Sequence, residues 1–178
     1  MSENLGKIES KKNVFTFYSR INKELTDKVF LYLISLIKEN KKLKNYNEVI
    51  MSQENLIFNS KDFFYLSLKD ILIYLQKFFY LEDYILIGAL IYIERFCRNA
   101  SIVLTEYNVH KLLFTSILIA IKEFEDFYYE NSFYSRTLGI NEKDLNKLEF
   151  IFVTTLDFKL YINKIEYQRF KAYICEYN

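Results

Sequence analysis

Apolar residues recur along the chain with the spacing of one helix face, and they predict a series of helices. The first helix runs from near Thr26 and frays over residues 39–42, because apolar residues from Leu25 to Ile37 lie three or four positions apart. No period is sustained over residues 43–66, which we interpret as a long connection. Beyond it the pattern predicts helices over residues 68–80, 83–99, 106–127, 142–156 and 164–176, with a short turn near 132–138.

Four of these helices are preceded by a side chain suited to capping the first turn. An oxygen at the N-cap accepts a hydrogen bond from an amide that the first turn leaves unpaired, and an acid three positions later strengthens the signal. The pairs are Ser67 with Asp70, Thr105 with Asn108, Asn141 with Asp144, and Asn163 with Glu166. The second pair is the weakest, because an asparagine stands where an acid is preferred.

Helix 83–99 is predicted to lie at the centre of the fold, because apolar residues surround nearly its whole circumference. The following helix is similarly apolar from Leu112 to Ile121, and Gly88 leaves room for a partner helix to approach closely. The chain has 178 residues, of which 51% are hydrophobic, with no proline and three glycines, so the usual punctuation of β-rich folds is missing. We therefore predict an all-α domain with a buried core.

Composition argues against several classes of partner. The formal net charge is +1, with 24 basic and 23 acidic residues interspersed, so no basic face for nucleic acid is evident. Two cysteines and one histidine are too few for an ordinary zinc site. The longest apolar run, residues 84–93, is shorter than the about 20 residues that span a bilayer, and residues 1–13 lack the apolar core of a signal peptide. We expect an intracellular protein, cytoplasmic, nuclear or both, that binds no metal, cofactor, nucleic acid or membrane.

Catalytic motifs are not found in the sequence. It contains no glycine-rich phosphate loop, no HExxH motif, and no serine or cysteine motif with a plausible histidine partner. An enzyme that uses a carboxylate pair stays open, although acids on helix surfaces are usually solvated charges. We predict that the protein is not an enzyme.

Three phrases in a fixed order carry a resemblance to a known family. They are Ala89–Phe96, then Leu104–Leu113 leading to Ala120-Ile121-Lys122, then Leu145–Phe150 followed by Leu156-Asp157-Phe158. Together they resemble the P/U-type cyclins, the phosphate-response type with a single cyclin box. The resemblance covers about residues 64–174 and is strongest over residues 86–158. No single phrase is diagnostic, whereas the ordered set is.

The resemblance implies a cyclin box, a five-helix bundle around a central helix, with additional N-terminal and C-terminal helices. The residue pattern and the resemblance together divide the chain into a flexible tail at residues 1–20, an N-terminal helix and connection at 21–65, and the cyclin box with a C-terminal helix at 66–178. The resemblance implies a regulatory subunit that activates a cyclin-dependent serine/threonine kinase by holding the kinase C-helix in its active position. The alternative is a cyclin-fold adaptor or transcription-related scaffold without a kinase. An isolated cyclin exposes an apolar patch, which leaves room for homodimers.

The resemblance also implies a kinase-binding site. Lys122 and Glu149 match the lysine and glutamate that cyclins direct from adjacent helices toward backbone near the kinase C-helix. Phe124 matches an aromatic position shifted by one, and Glu125 and Asp126 match acids that face an arginine of the kinase activation segment. Judged from the residues alone, the lysine is an ordinary helix-end cation and the acids are solvated surface charges, and both interpretations stay open.

Four further residues match structural positions of the family. Glu94 and Arg95 match an acid and an arginine on the central helix, where the acid pairs with an arginine of the first box helix. Tyr74 occupies the corresponding place here, so we predict that its hydroxyl bonds to Glu94, because a buried acid without a donor is costly. His110 is expected to be structural. No groove for RxL substrates is expected, because residues 68–72 lack the family motif and the chain has no tryptophan.

Overall fold

The computed structural model describes residues 22–44, 46, 48, 58–59 and 67–177, which include seven helices and no strand. The helices are α1 (Lys23–Asn40), α2 (Leu68–Phe79), α3 (Asp83–Asn99), α4 (Val109–Phe124), α5 (Asn131–Leu138), α6 (Glu142–Thr155) and α7 (Lys164–Glu176). The all-α prediction is confirmed for this part of the chain. The predicted tail at residues 1–20 and most of the predicted connection at residues 43–66 lie outside the described residues.

Three of the four predicted N-caps form. In each, the side chain accepts a hydrogen bond from an amide of the first turn: Ser67 from Asp70 at 3.2 Å, Asn141 from Lys143 at 2.9 Å, and Asn163 from Glu166 at 2.9 Å. The first helix begins slightly earlier than predicted, because Asn22 caps it by accepting from the amide of Leu25 at 3.1 Å.

α4 is shorter at both ends than the helix predicted over residues 106–127. Thr105 does not cap α4 itself, but it pairs with Asn108 in the turn before the helix, where its hydroxyl accepts from the Tyr107 amide at 3.3 Å. The buried side chain of Asn108 accepts from the Thr105 amide at 2.8 Å and donates to the Val103 carbonyl at 2.9 Å. These bonds keep the preceding segment in a turn. At the other end Glu125 is extended, with φ −104° and ψ 137°, which stops the helix.

The predicted turn near residues 132–138 is instead α5, a helix of two turns. It ends where Gly139 adopts φ 65°, a left-handed conformation that glycine reaches without steric cost. α5 packs on α6. This contact places the first residue of α5 beside the middle of α6.

α3 is the central helix, as its apolar pattern predicted. All of its residues from Ile85 to Ile93 are buried. It packs mainly on α4, whose residues 112–121 are also buried, and it contacts α6 and α7. Helices α2 to α6 form the predicted five-helix bundle around it. Within the described ranges, none of the helices is both long and apolar enough to cross a membrane.

α1 packs on α2 and α7, so the N-terminal and C-terminal helices meet on the bundle. The Thr26 hydroxyl donates to the side-chain carbonyl of Gln76 on α2, and the Lys28 ammonium donates to the Tyr177 carbonyl at 2.6 Å. The apolar residues that predicted this helix are buried: Leu25, Val29, Leu33 and Ile37. The sequence did not decide whether α1 packs on the bundle, and the structure shows that it does.

Candidate functional site

Lys122 and Glu149, which lie on two separate helices, meet in the structure. Lys122 is in the last turn of α4, Glu149 is in the middle of α6, and the packing of these helices brings the two side chains together. The Lys122 Nζ lies 2.5 Å from Oε1 of Glu149. The side chains stay 26% and 20% exposed, so a partner can reach this ion pair.

Asn131, the first residue of α5, holds Glu149 from another side. Its Nδ2 donates to Oε2 of Glu149 at 2.6 Å and to Oδ1 of Asn146 at 2.6 Å. Each carboxylate oxygen of Glu149 therefore has one donor inside the domain. Asn131 was not predicted as a site residue. No local signal in the sequence identifies it, because its two partners lie 15 and 18 positions further along the chain.

The Lys122–Glu149 pair keeps unused hydrogen-bonding capacity. A lysine ammonium has three donors, and among the described residues Lys122 uses one of them. The Glu149 oxygens can each accept a further bond. The pair can thus donate to the carbonyls and accept from the amides of a docked backbone. Because both side chains are partly exposed, we expect the pair to stabilise the fold by less than about 1 kcal/mol.

Phe124, which was predicted to bind the kinase, packs inward in the structure. Its ring lies over Gly88 of α3, where no room remains for a Cβ atom. It also stacks on Tyr92, with ring centroids 6.0 Å apart and the planes 29° from parallel. The missing side chain of Gly88 creates the space that the ring fills. The partly buried Phe124 therefore joins α4 to α3 instead of forming an exposed contact surface.

The two acids that follow Phe124 differ in their surroundings. Glu125 accepts a hydrogen bond from the Tyr84 hydroxyl at 2.6 Å, and this bond raises the pKa of Tyr84 to about 12. Asp126 is exposed and has no hydrogen-bond or ion-pair partner among the described residues. Asp126 is therefore the carboxylate that is free to meet a partner's cation.

An open cavity of about 780 Å³ lies beside these acids, and we call it the aromatic groove. Its exposed rings come from α2, from the α2–α3 turn with the start of α3, and from the segment after α4. They are Tyr74, Phe78, Tyr80, Tyr84, Phe127, Tyr128 and Tyr129. Phe127 is 93% exposed, and Tyr129 stacks on Phe133 of α5 with centroids 4.1 Å apart. Such a concentration of exposed rings is typical of a protein interaction surface.

Glu94 takes its hydroxyl donor from a different tyrosine than predicted. Tyr32 of α1 donates to Oε1 of Glu94 at 2.6 Å, whereas the Tyr74 hydroxyl lies 3.4 Å from the carbonyl of Thr137. The predicted Tyr74–Glu94 pair is therefore wrong, although Glu94 does obtain a donor. Burial, followed by the bond to Glu94, raises the pKa of Tyr32. The sequence could not identify Tyr32, because nothing in it placed α1 against the bundle.

Arg95 joins α3 to α7 and to the segment before α7. Its Nη2 lies 2.8 and 2.7 Å from the two carboxylate oxygens of Glu166 and 3.2 Å from the Tyr161 carbonyl. Its Nη1 donates to the Lys159 carbonyl at 3.0 Å. These contacts support the predicted structural role of Arg95. The sequence predicted Glu166 as part of a helix start, but it did not predict that Glu166 pairs with Arg95.

The remaining titratable groups that the structure describes form no metal site. In the described ranges, no cluster of three histidine, cysteine, aspartate or glutamate side chains could hold an ion. Burial lowers the pKa of His110, which favours a neutral imidazole and supports its predicted structural role. The two cysteines are free thiols, and burial raises the pKa of Cys97 to about 12.

A family comparison identifies the class of protein that this bundle represents. A family model described as cyclin matches residues 9–160, most of the chain. The chain belongs to the cyclin family, and the bundle around α3 is a cyclin box. This confirms the predicted fold.

The relatives that the chain resembles include U-type plant cyclins and a PHO85 cyclin of yeast. The chain is 37% identical to Cyclin-U3-1 of Arabidopsis thaliana over 86 residues, 48% of this chain and 38% of the relative. It is 43% identical to Cyclin-U2-1 of the same plant over 90 residues, 49% of this chain and 38% of the relative. It is 32% identical to PHO85 cyclin-7 of Saccharomyces cerevisiae over 108 residues, 54% of this chain and 38% of the relative. These similarities support the resemblance to the P/U-type cyclins, and the chain spans less than half the length of each relative.

Proposed function

We propose that this chain is a regulatory subunit that binds and activates a cyclin-dependent serine/threonine kinase and catalyses no reaction of its own. The observation that carries the proposal is the Lys122–Glu149 pair, which Asn131 holds at the surface of the cyclin box. The Lys122 ammonium and the Glu149 carboxylate can each form further hydrogen bonds with a partner. Membership of the cyclin family supports the class of partner. As a kinase regulator, the protein acts inside the cell, in the cytoplasm, the nucleus or both.

Activation is conformational. A protein kinase needs an ion pair between a strand lysine and its C-helix glutamate to position the ATP phosphates. A subunit that binds the C-helix-in state more tightly than the C-helix-out state shifts the population toward the active form. The Lys122 ammonium donates to carbonyls beside the C-helix, and the Glu149 carboxylate accepts from amides there. A shift from 1:99 to 99:1 requires about 5.5 kcal/mol of differential affinity, so these two side chains need surrounding contacts.

The exposed rings near the pair supply that contact area. Phe150, next to Glu149 on α6, is 67% exposed, and the aromatic groove continues the apolar surface beyond the end of α4. Aromatic side chains are enriched at the centres of protein interfaces and among the residues that dominate affinity. Asp126 faces an arginine of the kinase activation segment. Glu125 keeps its hydrogen bond from the Tyr84 hydroxyl.

Charge reversal combined with a charge swap tests this interface. Lys122→Glu and Glu149→Lys are each expected to abolish capture of a kinase. The measurement is a pull-down from a lysate of the protein's own cells, in which mass spectrometry identifies the retained proteins. The double variant Lys122→Glu/Glu149→Lys restores an ion pair inside the domain but presents donors and acceptors in exchanged positions. We expect it to recover the wild-type melting temperature without recovering the kinase.

Lys147→Glu is the matched control, because Lys147 is exposed on the same helix and lies about 200° around it from Glu149. This variant is expected to capture the kinase normally. Recovery of kinase binding by the swapped variant would show that the pair only stabilises the fold. Absence of any kinase with the wild-type chain would favour the cyclin-fold adaptor instead.

A further inference from the structure

A second groove, of about 430 Å³, runs between the C-terminal half of α3 and α7. We call it the basic groove, because Arg95, Arg98 and Arg169 line it. It lies at the opposite end of α3 from the aromatic groove. Tyr84, at the start of α3, contacts the end of α4 through Glu125, whereas Arg98 is in the last turn of the same helix, roughly 20 Å away at 1.5 Å per residue.

Each acid of the basic groove has a hydrogen-bond donor, whereas two of its arginines have no acceptor in the part of the chain that the structure describes. Glu94 accepts a hydrogen bond from a hydroxyl of α1, and Glu166 is bound by Arg95. Arg98 and Arg169 are exposed, and neither guanidinium has a partner among the described residues. The groove therefore offers two unpaired guanidinium groups whose natural complement is an anion.

The wall of the basic groove on α7 is apolar and fixed in place. Ile165 is 63% exposed and Tyr173 is 51% exposed, so both offer surface to a ligand. The ring of Tyr173 makes an edge contact with Tyr32 at 5.9 Å between centroids, and Phe170 makes a similar contact at 6.0 Å. Because these rings are already ordered, a ligand that packs on them loses less free energy in ordering its site. The complementary ligand has an anionic group next to an apolar one.

We propose that the basic groove binds a phosphorylated serine or threonine segment of a partner protein. The phosphate binds Arg98 and Arg169, and an apolar neighbour packs on Ile165 and Tyr173. The planar guanidinium matches phosphate oxygens in two-point hydrogen bonding, and arginine clusters are a recurring mode of phosphopeptide recognition. A nucleic acid backbone or an anionic membrane fits less well. Either ligand carries many negative charges, and some of these would lie against Glu94 and Glu166 of the groove. The inference does not depend on the proposed kinase function.

Fluorescence polarisation with the full chain and three degenerate peptide libraries tests this proposal. The libraries differ only in a fixed central residue, which is phosphoserine, serine or glutamate. The phosphoserine library is expected to bind at least about tenfold more tightly than the other two, because two charge-assisted hydrogen-bonding groups meet the phosphate. Arg98→Glu and Arg169→Glu are each expected to remove this preference, and added salt is expected to weaken binding by wild type.

Arg136→Glu is the matched control, because Arg136 is an exposed arginine of α5 outside the basic groove. It is expected to bind the phosphoserine library as wild type does. Arg98→Gln and Arg169→Gln remove a charge without reversing it and are expected to weaken binding less than the glutamate variants. Circular dichroism melting curves establish that each variant is folded.

Three results would overturn the proposal. Equal binding of the phosphoserine library and either of the other libraries would exclude phosphate recognition. Loss of binding in Arg136→Glu equal to that in Arg98→Glu would show a general charge effect. Tighter binding of a fluorescent single-stranded oligonucleotide, abolished by Arg98→Glu, would assign the groove to nucleic acid. Kinase capture by Arg98→Glu, measured in parallel, separates failure here from failure of the proposed function.

Discussion

Two ion pairs of similar exposure, Lys122–Glu149 and Arg95–Glu166, differ in how much hydrogen-bonding capacity the domain itself uses. The side chains are 26% and 20% exposed in the first pair and 20% and 35% exposed in the second. Arg95 donates to both oxygens of its partner and to two backbone carbonyls, whereas Lys122 has one acceptor among the described residues. Two pairs of similar exposure thus differ in the number of donors left for a partner. This difference supports the proposal that Lys122–Glu149 binds a partner whereas Arg95–Glu166 is structural.

Removing the Lys122 charge should have the largest effect on binding. Lys122→Met keeps most of the apolar stem but deletes the donors, so we expect kinase affinity to fall about hundredfold, as for a dominant interface residue. The free energy of unfolding should fall by less than about 1 kcal/mol. Calorimetric titration of the purified kinase and urea unfolding measure the two quantities. If Lys122→Met lost stability but kept its affinity for the kinase, the Lys122–Glu149 pair would be structural, as the Arg95–Glu166 pair is.

The same substitution at Arg95 should give the opposite result. Arg95→Met leaves Glu166 and two carbonyls without their donor, so we expect the free energy of unfolding to fall by about 2 kcal/mol. Kinase affinity of the folded protein should stay within about threefold of wild type. Urea unfolding and titration at low temperature measure both. A large loss of affinity without loss of stability would contradict the structural role of Arg95.

Removing the Tyr32 hydroxyl, which donates to Glu94, should destabilise the fold less than Arg95→Met does. Tyr32→Phe removes the donor to a partly buried carboxylate, and we expect a loss of about 1.5 kcal/mol in the free energy of unfolding. Tyr74→Phe is the control, with an expected change within about 0.5 kcal/mol, because Tyr74 does not contact Glu94. Thermal melting of both variants measures the difference. Equal losses would contradict the assignment of Tyr32 as the donor.

The smallest effect is expected where Phe124 packs at the end of α4 that carries Lys122. Gly88→Ala gains about 1 kcal/mol of helix propensity but forces the added Cβ against the Phe124 ring, at a cost of about 1–3 kcal/mol. We expect the free energy of unfolding to fall by about 1 kcal/mol. Kinase binding should also weaken, because the Phe124 ring and Lys122 share the last turn of α4. Adding Phe124→Leu should restore stability. A stable Gly88→Ala variant with an unmoved melting curve would show that the ring is free to shift.

The sequence predicted the helices well because their signals are local. Caps at Ser67, Asn141 and Asn163 and the apolar period of α3 each depend on residues within one or two turns. The resemblance to cyclins nominated Lys122 and Glu149, which periodicity alone could not distinguish from solvated charges. The predicted pairing of Thr105 with Asn108 forms, but in the turn that precedes α4, so this helix begins three residues later than predicted.

The sequence by itself determined an all-α domain with a central apolar helix, because hydrogen bonds and apolar spacing within a helix involve near neighbours. The resemblance to cyclins came from the ordered motifs and not from this spacing. Only the tertiary structure decided which distant side chains meet. It paired Tyr32 with Glu94, turned Phe124 onto Gly88, and placed Asn131 against Glu149. It also brought the free arginines of α3 and α7 to one groove. The physical reason is that these contacts depend on how the helices pack, which no local pattern encodes.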